Sequence, residues 1–160
     1  MNEKQIQNYI WEKRESFADL LVTPQFPKVK FENPAFASPS DVLYNMVIDR
    51  YKKLWESISD IGFFGCEVSL TEEGQSTMRT DFLANRCGDD GIVVIELKKS
   101  DQTARQAYTE LLAYGSYLRT KFTPMSGGDI IYVLISPIGE RIVEQATICL
   151  LYTSDAADEL

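Results

Sequence analysis

Hydrophobic and polar positions divide the chain into segments with a helical or a strand-like pattern. The clearest segment is residues 91–99, in which four β-branched residues follow an Asp-Asp-Gly turn signal. Such a run predicts a buried strand. Residues 76–85 form a second strand-like run, and the turn-rich residues 87–91 lie between the two. The two runs are therefore expected to pair as a β-hairpin.

The remaining segments predict helices, two further strands and a connector. Apolar residues at helical spacing indicate helices over residues 3–22, 40–59 and 100–122. Residues 138–148 are expected to form the start of another helix. Strand-like runs occupy residues 61–70 and 129–137, and residues 21–38 form a proline-punctuated connector. From residue 40 the order is helix, three-strand meander, helix, strand, which predicts an α/β domain.

Two of these helices carry apolar faces that are expected to be buried. In the first helix the apolar positions are Ile6, Tyr9, Ile10, Phe17, Leu20 and Leu21. In the second, the positions expected to face the sheet are Leu43, Val47, Tyr51, Leu54 and Ile58, after a start in which Ser40 is the N-cap.

Candidate chemistry lies at the far end of the 91–99 strand. Glu96 and Lys98 are two residues apart and so project to the same face of a strand. If the hairpin centre falls between Gly88 and Asp89, Asp81 faces Glu96 directly, with Cβ atoms roughly 5 Å apart. Two carboxylates that close repel each other unless a cation lies between them, and oxygen ligands suit Mg²⁺ or Mn²⁺. The alternative is a surface salt bridge at a strand end, with an unrelated aspartate nearby.

A motif is visible at this hairpin: Asp81 is followed by a short turn and then by Glu96-Leu97-Lys98. It resembles the Asp…(Asp/Glu)-x-Lys motif of the PD-(D/E)xK nuclease superfamily, which has the restriction-endonuclease-like fold. The predicted order over residues 40–136 is similar to the αβββαβ core of that superfamily. The resemblance implies a mixed central sheet flanked by helices. It divides the chain into an N-terminal helix and connector at 1–38 and a nuclease core at 39–148.

The resemblance also implies a function and its residues. It implies a Mg²⁺-dependent (or Mn²⁺-dependent) DNA endonuclease or phosphodiesterase of the restriction, phage-defence or repair type. Asp81, Glu96 and Lys98 would be catalytic, and Asp81, Glu96 and the Leu97 carbonyl would hold the metal. DNA would be the partner, and a homodimer is a further expectation because many members of the superfamily work as dimers.

One helix face and several acidic residues extend this hypothesis. Gln106, Glu110 and Tyr114 are spaced by four and share one face of the helix at residues 100–122. They look similar to a Gln-x-x-x-Tyr pair that lines the active site in several branches, although Glu110 stands where glutamine is usual. The resemblance thus implies that they position the substrate. The first core helix of the superfamily often adds an acidic metal ligand, and the candidates here are Glu3, Glu12, Asp49 and Glu56.

Composition narrows the classes of protein that the chain can belong to. The chain has no histidine, which excludes Ser-His-Asp and Cys-His catalysis and every histidine-ligated metal site. Its three cysteines are irregularly spaced and suggest neither a disulfide framework nor a zinc site. No apolar run approaches the length of a membrane span, and the N-terminus lacks a signal-peptide core. A single cytoplasmic domain without a membrane partner is therefore expected.

The net charge of −8 argues against a DNA-cleaving enzyme, because nucleic-acid binding usually shows a basic footprint. It favours a second hypothesis, a catalytically inactive nuclease-fold module that binds nucleic acid or protein. Part of this charge lies in residues 149–160, which resemble the translation of a transposase-type sequencing adapter. Without Asp155, Asp158 and Glu159 the chain has 21 acidic and 16 basic residues, a net charge of −5. We therefore expect the natural product to continue past residue 148, and a nuclease that is active only with a further C-terminal domain is a third hypothesis.

Overall fold

The computed structural model describes residues 2–30, 37–70, 78–88, 91–99, 101–122 and 129–136, and of residues 101–105 it describes the main chain alone. The elements are α1 (Glu3–Glu12), a 3-10 helix (Arg14–Leu20), α2 (Pro39–Ser59), β1 (Ile61–Ser69), β2 (Arg79–Arg86), β3 (Ile92–Leu97), α3 (Asp101–Lys121) and β4 (Ile130–Ile135). The predicted order of helix, three strands, helix and strand is confirmed. The helix predicted at residues 138–148 and the tail at 149–160 lie outside the described residues.

The four described strands form one mixed sheet in the order β1-β2-β3-β4. β1 and β2 are antiparallel, as are β2 and β3, whereas β3 and β4 are parallel. Parallel neighbours need a long crossover, and α3 supplies it. The chain is therefore an α/β protein, as the pattern predicted, and its four described strands form a mixed sheet flanked by helices, as the resemblance implied.

β3 is the buried centre of this sheet, and its continuous apolar run explains why. Val93 and Ile95 pack in one cluster, which also contains Ile10 of α1 and Phe17 of the 3-10 helix. Val94 packs in a second cluster with residues of α3 and β4. Alternate residues of a strand point to opposite faces, so α1 and the 3-10 helix cover one face and α3 covers the other. A strand covered on both faces needs apolar residues at every position.

The hairpin between β2 and β3 has the register that the predicted centre requires. Phe82 pairs with Ile95, and Asn85 pairs with Ile92. The next position outward in this register brings Asp81 opposite Glu96. A shift of register does occur in the sheet, but it lies between β1 and β2 near residues 63–65.

The predicted N-terminal helix over residues 3–22 is interrupted, which corrects the expectation of one continuous helix. α1 ends at Glu12, and Ser16 leaves helical geometry with φ −126° and ψ 35°. The Ser16 N–H donates to the Lys13 carbonyl at 2.9 Å, which closes a tight turn instead of an α-helical one. After the break, the Phe17 and Phe63 rings meet edge to face at a centroid distance of 5.0 Å. The break accompanies the burial of Phe17, which is 4% exposed, and burial of such a side chain is worth about 1.5–3 kcal/mol.

The N-cap of α2 lies two residues earlier than predicted. Ser38, not Ser40, occupies the N-cap position, and Pro39 follows as the first helical residue, where its missing N–H costs nothing. Val29 of the preceding connector lies beside the helix, because the Asn45 side chain donates to the Val29 carbonyl at 2.9 Å and accepts from the Val29 N–H at 2.8 Å.

The expected buried face of α2 is correct only near the end of the helix. Leu54 and Ile58 pack against the first cluster. Leu43 and Tyr51 are 61% and 40% exposed, so their predicted contact with the sheet is wrong. A helix of 21 residues is roughly 31 Å long, and periodicity shows which residues share a face but not how far the sheet extends beneath them. Among the described helices, none is long and apolar enough to cross a membrane.

Candidate functional site

Asp81, Glu96 and Lys98 come together where β2 begins and β3 ends. Because the two strands are antiparallel, the start of one and the end of the other lie at the same edge of the sheet. Asp81 Oδ2 accepts a hydrogen bond of 2.8 Å from the Leu97 N–H. The aspartate side chain therefore takes the place of a main-chain acceptor at the point where the ladder between the strands ends.

Glu96 is buried and only partly satisfied. Its residue is 4% exposed, and its Oε1 lies 2.6 Å from Lys98 Nζ. Its Oε2 is buried and has no hydrogen-bond partner among the described residues. Leaving a buried acceptor unsatisfied costs about 1–3 kcal/mol, and more when it is charged. This oxygen would therefore gain most from a further positively charged or donating group.

The pKa of Glu96 is raised to about 7, chiefly by burial; the nearby Asp81 and Glu110 carboxylates contribute to the rise, and Lys98 opposes it. The pKa of Asp81 is also raised, again chiefly by burial, although the Leu97 N–H and Lys98 act in the opposite direction. Both shifts show that the described groups do not fully compensate two negative charges. A cation between the carboxylates would favour their charged forms.

Lys98 lies between two carboxylates. Its Nζ is 2.6 Å from Glu96 and 2.8 Å from Glu110, and its side chain is 13% exposed. Burial alone would lower the pKa of Lys98, but the hydrogen bonds to Glu110 and Glu96 outweigh burial and raise it. Lys98 is therefore held in its charged form. The Lys98–Glu96 pair is buried, so the alternative interpretation of this pair as a surface salt bridge is wrong.

The three residues predicted on α3 have different surroundings. Gln106 is exposed and donates to Glu110 at 2.8 Å, so Gln106 reaches the carboxylates only through Glu110. Tyr114 is 5% exposed, packs in the second cluster and donates its hydroxyl to the Arg79 carbonyl at 2.8 Å. Burial raises the pKa of Tyr114, and the charges of Glu96 and Glu110 add to this effect. The tyrosine thus fastens α3 to the start of β2 and stays a donor.

Of the four acidic candidates for an additional ligand, Glu3 is the one near the site. Glu3 lines a cavity of about 180 Å³ together with Leu97 and Lys98, and its charge raises the pKa of Asp81. Asp49 and Glu56 lie on α2 and pair with Lys28 and Lys52, respectively. Glu12 is exposed at the last turn of α1.

Three residues near Asp81 had no role in the site predicted from the sequence. Gln7 of α1 is 3% exposed and donates its side-chain N–H to Asp81 Oδ1 at 2.9 Å. Lys4 donates to the Gln7 oxygen at 2.9 Å and pairs with Glu67 of β1. One signal was present in the sequence: Gln7 lies three residues before Ile10, on the apolar stripe of α1, where a polar residue needs a partner.

Among the described residues, no group of three or more His, Cys, Asp or Glu side chains is arranged to hold a metal ion. The site offers two acidic side chains and main-chain oxygens. Comparisons of the chain with protein-family models, with curated proteins and with solved structures found no match. The geometry of the site is therefore the basis for any function proposed for the chain.

Proposed function

We propose that the chain is a metal-dependent DNA nuclease with the restriction-endonuclease-like fold, in which Asp81, Glu96 and Lys98 are the catalytic residues. The observation that carries this proposal is the buried Glu96 carboxylate, which has one unpartnered oxygen and lies beside a charged lysine and a second carboxylate. The observed order of helices and strands from α2 to β4 also supports the proposal, because it is the αβββαβ order of the superfamily core.

The residues present fit Mg²⁺ or Mn²⁺. Asp81, Glu96 and the Leu97 carbonyl would supply oxygen ligands, which these ions prefer, and Mg²⁺ commonly keeps several waters and binds through one or two carboxylates. A site with two acidic ligands is therefore sufficient. When bound, the ion supplies electrostatic stabilisation of negative charge on a phosphate and activates water.

The protein's own groups would then bind and orient the reactants. Lys98 Nζ would donate a hydrogen bond to the attacking water and offset negative charge on the phosphate. Glu110 holds Lys98 in place at 2.8 Å, so it would act through the lysine. Gln106 is exposed, contacts Glu110 and could contact the DNA strand. Tyr114 donates its hydroxyl proton to the Arg79 carbonyl, so it would position the strand only through its ring or its hydroxyl oxygen.

The first test is calorimetric titration of Mn²⁺ into the chain and into Glu96→Gln, which keeps the shape of the side chain and removes its charge. We expect saturable binding by the parent protein and none by the variant. Asp49→Asn is the matched control, since Asp49 lies on α2, pairs with Lys28 and is outside the site. Absence of binding by a folded parent protein would contradict the metal site.

The second test is cleavage of single-stranded, double-stranded and branched DNA with Mg²⁺, Mn²⁺ or EDTA. We expect cleavage that needs the metal and is lost in Glu96→Gln and in Lys98→Gln. Cleavage that persists in both variants would remove the proposed roles.

A binding module without catalysis is the second candidate, and one observation favours it. Lys98 already makes two close ion pairs, so the lysine is satisfied within the protein and needs no substrate. The net charge of −8 also agrees with a partner other than nucleic acid. Mn²⁺ binding without cleavage of any DNA form, or no Mn²⁺ binding, would favour this module.

A further inference from the structure

α1 brings a buried amide to the catalytic edge of the sheet. The helix begins with a capping box in which Asn2 and Gln5 satisfy each other's main-chain N–H groups, so its first turn is well defined. One turn later Gln7 is 3% exposed and its Nε2 lies 2.9 Å from Asp81 Oδ1. The contact joins residues 74 positions apart in the chain. It links the N-terminal helix directly to a proposed metal ligand.

The orientation of the Gln7 amide is determined by charges on both sides. Its oxygen accepts from the Lys4 ammonium at 2.9 Å, and its nitrogen donates to the Asp81 carboxylate. The opposite orientation would place the NH₂ group against the ammonium and the oxygen against the carboxylate. Both contacts would be repulsive, since an ammonium has only donors and an ionised carboxylate has only acceptors. Lys4 therefore keeps the N–H of Gln7 directed at Asp81.

Glu67 in turn keeps Lys4 in place, and its main chain is unusual. Glu67 has φ 51°, the left-handed region that a residue with a side chain rarely adopts. It lies between the pairs Cys66–Phe82 and Val68–Thr80, opposite Asp81 on the neighbouring strand. Its carboxylate pairs with Lys4. Such costly conformations persist where surrounding contacts hold them, frequently near functional sites.

The two hydrogen bonds to Asp81 orient the carboxylate and leave it able to bind a cation. Gln7 contacts Oδ1 and the Leu97 N–H contacts Oδ2. A carboxylate has about four acceptor positions, so one position on each oxygen stays open. Donors on both oxygens fix the rotation of the carboxylate group, which is how residues around metal ligands commonly act.

We infer that Gln7 is a positioning residue for Asp81, so that α1, outside the proposed nuclease core, completes the catalytic site. The inference rests on the proposed metal-binding function, because it assigns Gln7 an effect on the affinity of that site. Lys4 and Glu67 support Gln7 and are expected to have smaller effects.

The first arm of the test needs no metal. Thermal unfolding is measured for the parent chain, Gln7→Met, Asp81→Asn and the double variant. In Asp81→Asn the side-chain oxygen can still accept from Leu97, while its NH₂ group faces Gln7 and the contact is lost. We expect Gln7→Met to lower the unfolding temperature in the parent background and to have little effect in the Asp81→Asn background. Additive changes would overturn the inference.

The second arm is Mn²⁺ affinity, measured by calorimetry at a temperature where every variant is folded. Gln7→Met is expected to weaken binding about tenfold or more, in line with other residues that orient metal ligands. Lys4→Met should weaken Mn²⁺ binding less than Gln7→Met does. Without Lys4 the Gln7 amide can turn, but it still donates to Asp81 in one of its two orientations. Gln5→Met is the matched control: it removes a glutamine of the same helix and its cap, and should lower the unfolding temperature without changing Mn²⁺ affinity.

The outcomes separate this inference from the proposed function. If the parent chain binds Mn²⁺ and Gln7→Met binds it equally well, the inference is wrong and the metal site stands. If the parent chain does not bind Mn²⁺, the proposed function is wrong. The unfolding cycle then decides alone: coupling supports the positioning of Asp81 by Gln7, and additivity overturns it.

Discussion

The two carboxylates of the site are held from opposite faces of the sheet and by different kinds of group. Asp81 is held by an amide from α1 and by a main-chain N–H, both neutral donors, with one on each oxygen. Glu96 is held by the charged Lys98, which α3 fixes through Glu110, and one of its oxygens has no partner among the described residues. Asp81 is therefore oriented, whereas Glu96 is still incompletely satisfied. The difference indicates that Glu96 gains most from a bound cation.

Removal of the lysine should break the Glu96 side of this comparison most strongly. Lys98→Met leaves Glu96 and Glu110 without their shared cation, and breaking one partner of a buried pair typically costs about 3–5 kcal/mol. We expect a loss of this size in the free energy of unfolding, measured with urea at pH 8. The control Lys52→Met breaks an exposed pair on α2, at 3.8 Å, and should cost at most about 0.5 kcal/mol. Equal losses in the two variants would contradict the difference in burial.

The double variant Lys98→Met with Glu96→Gln sharpens the result. Without the buried charge the lysine is no longer needed, so much of the lost stability should return. No recovery would show that Lys98 acts mainly through Glu110 or through packing.

The pH dependence of stability is expected to come from the same carboxylate. Glu96 has its pKa raised from 4.5 to about 7 in the folded state. A group with a raised pKa contributes stability that is complete below the unfolded pKa and is lost as the pH rises through the folded pKa. The free energy of unfolding should therefore fall by about 2–3 kcal/mol between pH 4.5 and pH 7.5. Asp81, whose pKa is also raised, adds to the fall.

Urea titrations at several pH values measure this dependence. Glu96→Gln should flatten the profile, and Mn²⁺ should stabilise the parent chain more at pH 7.5 than at pH 5. Stability that rises from pH 5 to pH 7.5 would give the opposite sign and reject the assignment.

Gly115 of α3 lies in close contact with Tyr132 of β4. A Cβ atom at Gly115 would lie 1.8 Å from the Tyr132 hydroxyl oxygen and 2.6 Å from its ring carbon. Gly115→Ala therefore pushes α3 from the sheet or displaces the tyrosine, and overpacking of this kind costs about 1–3 kcal/mol. Adding Tyr132→Phe removes the nearest atom and should recover part of the loss in thermal unfolding. Full stability of Gly115→Ala would show that Tyr132 moves freely.

The smallest effect is expected on the Asp81 side, at Glu67. Glycine adopts φ 51° without strain, whereas alanine does not. Both Glu67→Gly and Glu67→Ala remove the ion pair with Lys4, so their comparison isolates the main chain. Glu67→Gly should unfold roughly 2–4 °C above Glu67→Ala. If glycine is the less stable of the two, residue 67 is not held in the left-handed conformation.

The parts of the fold that the sequence predicted are those in which local pattern and burial agree. β3 is an unbroken apolar run covered on both faces, and the turn at Gly88 places Phe82 opposite Ile95. The apolar face of α2 was only half correct, since Leu43 has helical spacing but no sheet beneath it.

The candidate site shows the same division. Asp81, Glu96 and Lys98 could be placed together because strand pairing follows from local turns. The Gln7–Asp81 contact could not, since it depends on how α1 packs across the sheet. The left-handed Glu67 has no sequence signal at all, because no glycine or asparagine marks it.

The hydrogen bond from Leu97 to Asp81 has a spectroscopic consequence. The amide proton of Leu97 points at the carboxylate oxygen at an N···O distance of 2.8 Å and not at another peptide group. Its resonance in a ¹⁵N-correlated spectrum depends on the charge of that oxygen. Protonation of Asp81 or the arrival of a cation therefore shifts one assigned peak, and the protein carries its own indicator of the state of the candidate site.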